Sequence, residues 1–136
     1  MGAQNVGALT NLPNGLSGFL VDSNFEEKSA AYTVVITDDS GKTFVSKTDG
    51  IVYTLPSIAI GNTVTFVNTA PNGDADISIS PAAADGITYA GSATDNKDLI
   101  NTKATAQTGD FVTLASLDGV VAWQVVAVRG VWAKEA

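Results

Sequence analysis

From Tyr32 onward, apolar and polar residues alternate with a period of two, which places every second side chain on one face of a strand. Tyr32, Val34 and Ile36 fall on one face, opposite Thr33 and Thr37. The turn cluster Asp38-Asp39-Ser40-Gly41 follows, then expected strands at 43–45 and 51–55, split by Thr48-Asp49-Gly50. Pro56 closes the second, as proline does at strand ends. Residues 62–69 form the next, with Val64 and Phe66 inward, and Pro71-Asn72-Gly73-Asp74 turns the chain. Ile77 and Ile79 then alternate with Asp76, Ser78 and Ser80, and 87–89 makes a short strand. Residues 91–110 are polar, with Leu99 and Ile100 as their only anchors.

The most apolar stretch runs from Phe111 to Trp132. Asp118-Gly119 between two apolar runs is a strong hairpin signal, because both residues accept positive φ. In the second run, Val121, Trp123, Val125 and Ala127 share one face; Val120, Ala122, Val126 and Val128 share the other, broken only by Gln124. A strand apolar on both faces needs two covers, which a second sheet or another subunit supplies. Eight or nine short strands with frequent turns and β-branched content indicate an all-β domain: an antiparallel β-sandwich, jelly-roll-like, over residues 31–136. No fixed-period repeat is visible, which argues against a solenoid.

Residues 1–30 read as an N-terminal arm and linker. Glycine, asparagine and proline interrupt the first part, yet Leu9, Leu12, Leu16, Phe19 and Leu20 are apolar. An extended arm fits, docking on a partner or covering the chain's own sheet. Ser23-Asn24-Phe25-Glu26 has capping-box spacing, which allows a short helix to about Ser29; a polar loop is the alternative.

Charge narrows the partners. The 136-residue chain carries a formal net charge of −7, with 14 acidic and 7 basic residues. The basic residues are scattered, which argues against nucleic acid, and an acidic surface is repelled by anionic membranes. It suits a basic protein surface. With no cysteine and no histidine, the sequence offers no disulfide, thiolate zinc site, cysteine nucleophile or Ser-His triad. No long apolar run precedes Lys28, so neither a secretory signal nor a membrane-spanning helix is expected, and synthesis in a reducing cytoplasm is.

Each candidate chemistry has a plainer reading. Gly41-Lys42-Thr43 resembles the end of a phosphate loop, but Ile36 stands where the motif needs glycine, and a strand follows instead of a helix. Asp74, Asp76 and Asp85 lack calcium-loop spacing. Adjacent Asp38 and Asp39 on a strand end point apart, unlike a glycosidase pair. Trp123 sits in the most apolar strand and reads as core or interface; Trp132, beyond Gly130, reads as a protein contact. No catalytic, cofactor or metal residues are assigned.

Asp39-Ser40-Gly41-Lys42-Thr43-Phe44, Tyr53-Thr54-Leu55-Pro56 and Gly61-Asn62-Thr63-Val64-Thr65-Phe66-Val67 resemble a β module of tailed-bacteriophage virion proteins. So do Asp85-Gly86-Ile87, the run from Asn101 to Ala106, the run from Gly109 to Leu114, and Trp123 to Trp132. The module occurs in capsid decoration (cement) proteins and in head and tail fibres, and the resemblance covers about residues 31–134. It implies a non-enzymatic, self-associating protein, dimer or trimer, on the outer capsid surface, bound to the major capsid protein and stabilising joints between its subunits. A fibre or adhesin module binding a host glycan is the alternative. The expected partner contacts are Leu9, Leu12, Leu16, Phe19, Leu20, Val126, Val128 and Trp132.

Overall fold

The computed structural model describes residues 24–91, 95–118 and 122–136. The five apolar arm residues, Gly119 of the expected turn, Val120 and Val121 lie outside that set. The described elements are β1 (Phe25–Glu27), β2 (Tyr32–Thr33), one helical turn α1 (Ile36–Asp39), β3 (Thr43–Ser46), β4 (Ile51–Thr54), β5 (Thr63–Asn68), β6 (Ile77–Ser80), β7 (Gly86–Thr88), β8 (Leu99–Asn101), β9 (Asp110–Ala115), β10 (Ala122–Arg129) and β11 (Ala133–Lys134). They form a six-stranded sheet, β1-β3-β5-β9-β10-β7, and a five-stranded sheet, β11-β8-β6-β4-β2. The protein is all-β.

The chain crosses between the sheets at almost every step. β1, β3 and β5 lie in one sheet and β2, β4 and β6 in the other, and all neighbours within each trio are parallel. Residues 25–80 therefore wind as a two-sheet coil. The second half is different: β9 pairs antiparallel with β5 and with β10, and β8 antiparallel with β6 and β11. Both sheets are mixed, so the all-antiparallel expectation fails throughout the first half and again where β10 pairs parallel with β7. The coil has no fixed period: Phe25 pairs with Thr43, 18 positions on; Thr43 with Thr65, 22 on; Tyr32 with Tyr53, 21 on; Ile51 with Ile77, 26 on. Turns of unequal length hide the winding from a search for repeats.

Alternation decides which side chains meet between the sheets. Phe44 and Phe66 from one sheet stack at 5.8 Å between centroids, and Tyr53 from the other lies 4.6 Å from Phe66. Val34, Ile51, Leu55, Val64, Ile77, Ile79, Ile87, Leu99, Val112, Leu114, Trp123 and Trp132 complete the buried cluster. Each such large side chain contributes about 1.5–3 kcal/mol by leaving water.

Three local expectations change. Phe25–Glu27, placed in the arm and linker, form an edge strand, because Asn24, Lys28 and the strand itself pair with β3. The alternation at Tyr32 stops after Thr33, and Ile36–Asp39 turns helically because the Asp39 carboxylate accepts the Val35 N–H at 2.8 Å. Leu99–Asn101, read as an anchor in a loop, is a full strand.

Register settles the faces of β10. Trp123 and Val125 belong to the core side, and a bulge between Thr113 and Leu114 on the β9 register leaves Val126 without a partner. On the outward side of the six-stranded sheet, two cross-strand rows result. One is Phe25, Thr43, Thr65, Thr113, Ala127; the other is Glu27, Val45, Val67, Phe111, Arg129.

Candidate interaction surfaces

Polar groups buried in the core are engaged structurally at both ends of β5. At its C-terminal end, Asn68 donates to Asn101 Oδ1 at 2.8 Å and to the Ala75 carbonyl at 3.0 Å. Asn101 in turn donates to the Asp110 carboxylate and to the Val131 carbonyl, both at 3.1 Å. Asp110 also accepts the Gln107 N–H at 2.9 Å. This chain runs from β5 across to β8 and back to β9, so it ties the two sheets together. Gly130, with φ of 97°, packs against Asp110 so closely that a Cβ there would overlap all three carboxylate atoms.

At the N-terminal end of β5, Ser116 organises a tip. Its hydroxyl accepts the Asn62 N–H at 3.0 Å and donates to the Ala59 carbonyl, and its carbonyl accepts the Gly61 N–H at 2.9 Å. Asp85 holds the same loop by accepting the Ile58 N–H at 2.9 Å. The loop 57–62 is thereby fixed against 116–118, and it presents Ile60 at 70% exposure beside Leu117 at 61%. These are two large aliphatic side chains exposed to water on a hydrogen-bonded frame, which makes the tip a candidate contact surface. Sequence reasoning passed over Ile60; an isoleucine directly before a turn glycine was the available signal.

A charged cluster clasps the open end of the coil. Glu26 accepts Lys28 at 2.9 Å and Lys42 at 3.1 Å, and these hydrogen bonds hold its pKa below the ordinary value. Lys42 also reaches Asp39 at 3.2 Å, and the Glu26 bond lifts its pKa. Burial works against ionised Asp39, but the Val35 N–H, the Tyr32 hydroxyl at 2.7 Å and Lys42 outweigh it and keep its pKa low. The same Asp39 bond pushes the Tyr32 hydroxyl up to about 12. Lys28 sits 3.7 Å from the centroid of the Tyr32 ring. Lys42 of the phosphate-loop-like motif is thus bound to two carboxylates of its own chain, and Asp39 is buried while Asp38 is exposed.

The other singled-out residues fall as follows. Asp76 accepts the Lys103 N–H, and Asp49 pairs with Lys103 at 2.7 Å; Asp85 belongs to the tip, apart from them. Among the described residues no acidic group is arranged to hold a metal ion. Trp123 is fully buried. Trp132, expected at a protein contact, is only 5% exposed and donates to the Arg129 carbonyl at 3.0 Å, so it belongs to the chain's own core. Its place beyond Gly130 concealed that the chain lays β11 on β8. Val126 and Val128 are exposed, with Val131 beyond them. Val126 is level with Val64 and Thr65 and Val128 with Phe66, while Val131 lies by the Asn68–Asn101 end of β5, opposite the Ile60–Leu117 tip. In comparisons with known proteins, no family model and no curated protein matches the chain.

Proposed function

We propose that the chain is a structural, non-enzymatic virion protein that binds the outside of a phage capsid and stabilises joints between major capsid subunits. One observation carries this: large apolar side chains stand exposed along a small acidic body, Ile60 and Leu117 at one end, Val126 and Val128 along β10, and Val131 at the other end. Exposed apolar groups of this kind serve contact with another protein. The acidic balance of −7 suits a basic shell surface. An all-β body of two sheets is compatible with a virion β module, although the parallel winding of its first half departs from an antiparallel jelly roll. A body with contacts at opposite ends can span a joint, so shell expansion must first break them. Each joint needs only a few kcal/mol, because the lattice repeats it many times.

The test is to add the purified chain to expanded heads of the parent phage that lack it, count bound copies by quantitative gel, and measure the temperature of shell rupture. Hundreds of copies and a raised rupture temperature are expected. Absence of binding, or a few copies at one vertex or tail, overturns the reading.

A further inference from the structure

The outward face of the six-stranded sheet is short of charge. Within its strands, Glu27 and Arg129 are the only charged residues on that side among those described, in a chain with 21 charged residues. Neither joins an ion pair within the described chain, whereas Glu26, Lys28, Lys42, Lys97 and Lys103 all do. The remaining outward residues are valine, phenylalanine, alanine, threonine, glutamine and glycine, of which Gly86, Ala115 and Ala122 are already buried within the chain. The hydroxyls of Thr65 and Thr113 are bonded to each other at 2.8 Å, which lowers their need for water.

The two charges also stand in a particular relation. Glu27, Val45, Val67, Phe111 and Arg129 form one cross-strand row, with β5 in the middle. Four strand spacings separate the ends by roughly 19 Å, too far for a pair within the chain. A second copy can be laid on this face in two simple ways. A two-fold axis perpendicular to the strands sets Glu27 on Glu27 and Arg129 on Arg129. A two-fold axis along β5 reverses the row, so that Glu27 of each copy meets Arg129 of the other. The same operation sets Phe25, 72% exposed, against the small Ala127, and Val45 against Phe111. Strands then run nearly aligned, the usual geometry of two packed sheets.

We propose that this face is a self-complementary dimer interface, related by a two-fold axis along β5 and closed at both margins by Glu27–Arg129 pairs between copies. The inference deepens the self-association expected of a virion module but does not need a capsid. The flat footprint is roughly 500 Å² per partner, smaller than the ~800 Å² of a standard interface. An interface of that size belongs to the weak, transient class, so occupancy on a crowded shell exceeds that in dilute solution.

The test uses the full chain in sedimentation equilibrium from about 1 to about 300 µM, with circular dichroism to check folding. Glu27→Arg and Arg129→Glu each place like charges at both margins and should weaken association at least about tenfold. The double variant carrying both should dimerise like the original, and an equimolar mixture of the two single variants should form heterodimers. A rescue of that kind cannot arise within one chain, given the ~19 Å between the two positions. A chain that stays monomeric throughout the range overturns the proposal and leaves the face to residues 1–23 or the shell. A dimer indifferent to the single changes, or not restored by the double one, overturns it too. Shell binding is scored separately, so its loss with dimerisation intact counts against the capsid role alone.

Discussion

Replacing Gly130 with alanine probes the buried polar chain that joins the two sheets. The glycine has φ of 97°, and a Cβ would overlap the Asp110 carboxylate. The backbone strain alone costs about 1–3 kcal/mol. The carboxylate cannot yield freely, because Asn101 and the Gln107 N–H hold it at 3.1 and 2.9 Å. Displacing it forfeits at least one hydrogen bond to a charged group, worth about 1.5–3 kcal/mol. Together the change costs about 2.5–6 kcal/mol, and the melting temperature falls by roughly 8–30 °C for a chain of this size. Urea unfolding of the four proteins Gly130→Ala, Asp110→Ala, the double variant and the original gives the coupling directly. With Asp110 shortened to alanine the overlap vanishes, so Gly130→Ala should then cost only the backbone strain, leaving a coupling of at least about 1.5 kcal/mol. An equal cost in both backgrounds, or a cost below about 1 kcal/mol in the original, refutes the reasoning.

Further outcomes follow from other sites. Ile60→Ser with Leu117→Ser should reduce shell occupancy several-fold in a pelleting assay while stability stays within about 0.5 kcal/mol, since both side chains are exposed. Burial pushes the pKa of Tyr53 up to about 12 from 10.0, against a smaller pull from Ser46, and its hydroxyl makes no hydrogen bond among the described residues. The unfolded chain therefore ionises first, and stability falls as pH rises from 10 to about 12. Tyr53→Phe should flatten part of that fall in urea titrations and, near neutral pH, leave stability unchanged or raise it by about 1 kcal/mol. Asp39, held below its ordinary 3.8, contributes stability that is complete above that pH and lost as pH falls through the folded-state value. Asp39→Asn should lower stability at pH 7 and shrink the acid dependence below pH 4; an unchanged acid limb would count against the clasp.

The alternation of large apolar residues was enough to locate most core strands, since a period of two is imposed by backbone geometry wherever one face is buried. Val64, Phe66, Ile77 and Ile79 were legible for that reason. Strand partners were not. Thr43 pairs parallel with Thr65, and no local pattern separates that from a hairpin, because the information lies in how each crossing turns at Gly41, Gly50 and Pro56. Leu99–Asn101 escaped because its outer neighbours are polar and its partners, Ile77–Ile79 and Ala133–Lys134, are distant in sequence. The buried Asn68, Asn101 and Asp110 looked like ordinary turn residues, and only their convergence in space makes them a tie. Glu27 and Arg129 become a pair of margins only once the register is known.

The junction between coil and hairpin has a consequence for synthesis. β5 has β3 on one side, made earlier, and β9 on the other, made more than forty residues later. β7 pairs with β10 and with no earlier strand among the described residues. While the chain is being made, the first coils can assemble as soon as they emerge, but β5 then shows an unpaired edge and β7 waits without a neighbour. The exposed edge carries Val64, Phe66 and Val67, a sequence that invites pairing with a neighbouring nascent chain. Release of residues 110–129 ends that interval by inserting β9 beside β5 and delivering β10 to β7 in one move. Ribosome-bound chains halted before residue 110 should therefore be the aggregation-prone species, and the β9–β10 pair acts as a late-made latch on a coil already wound.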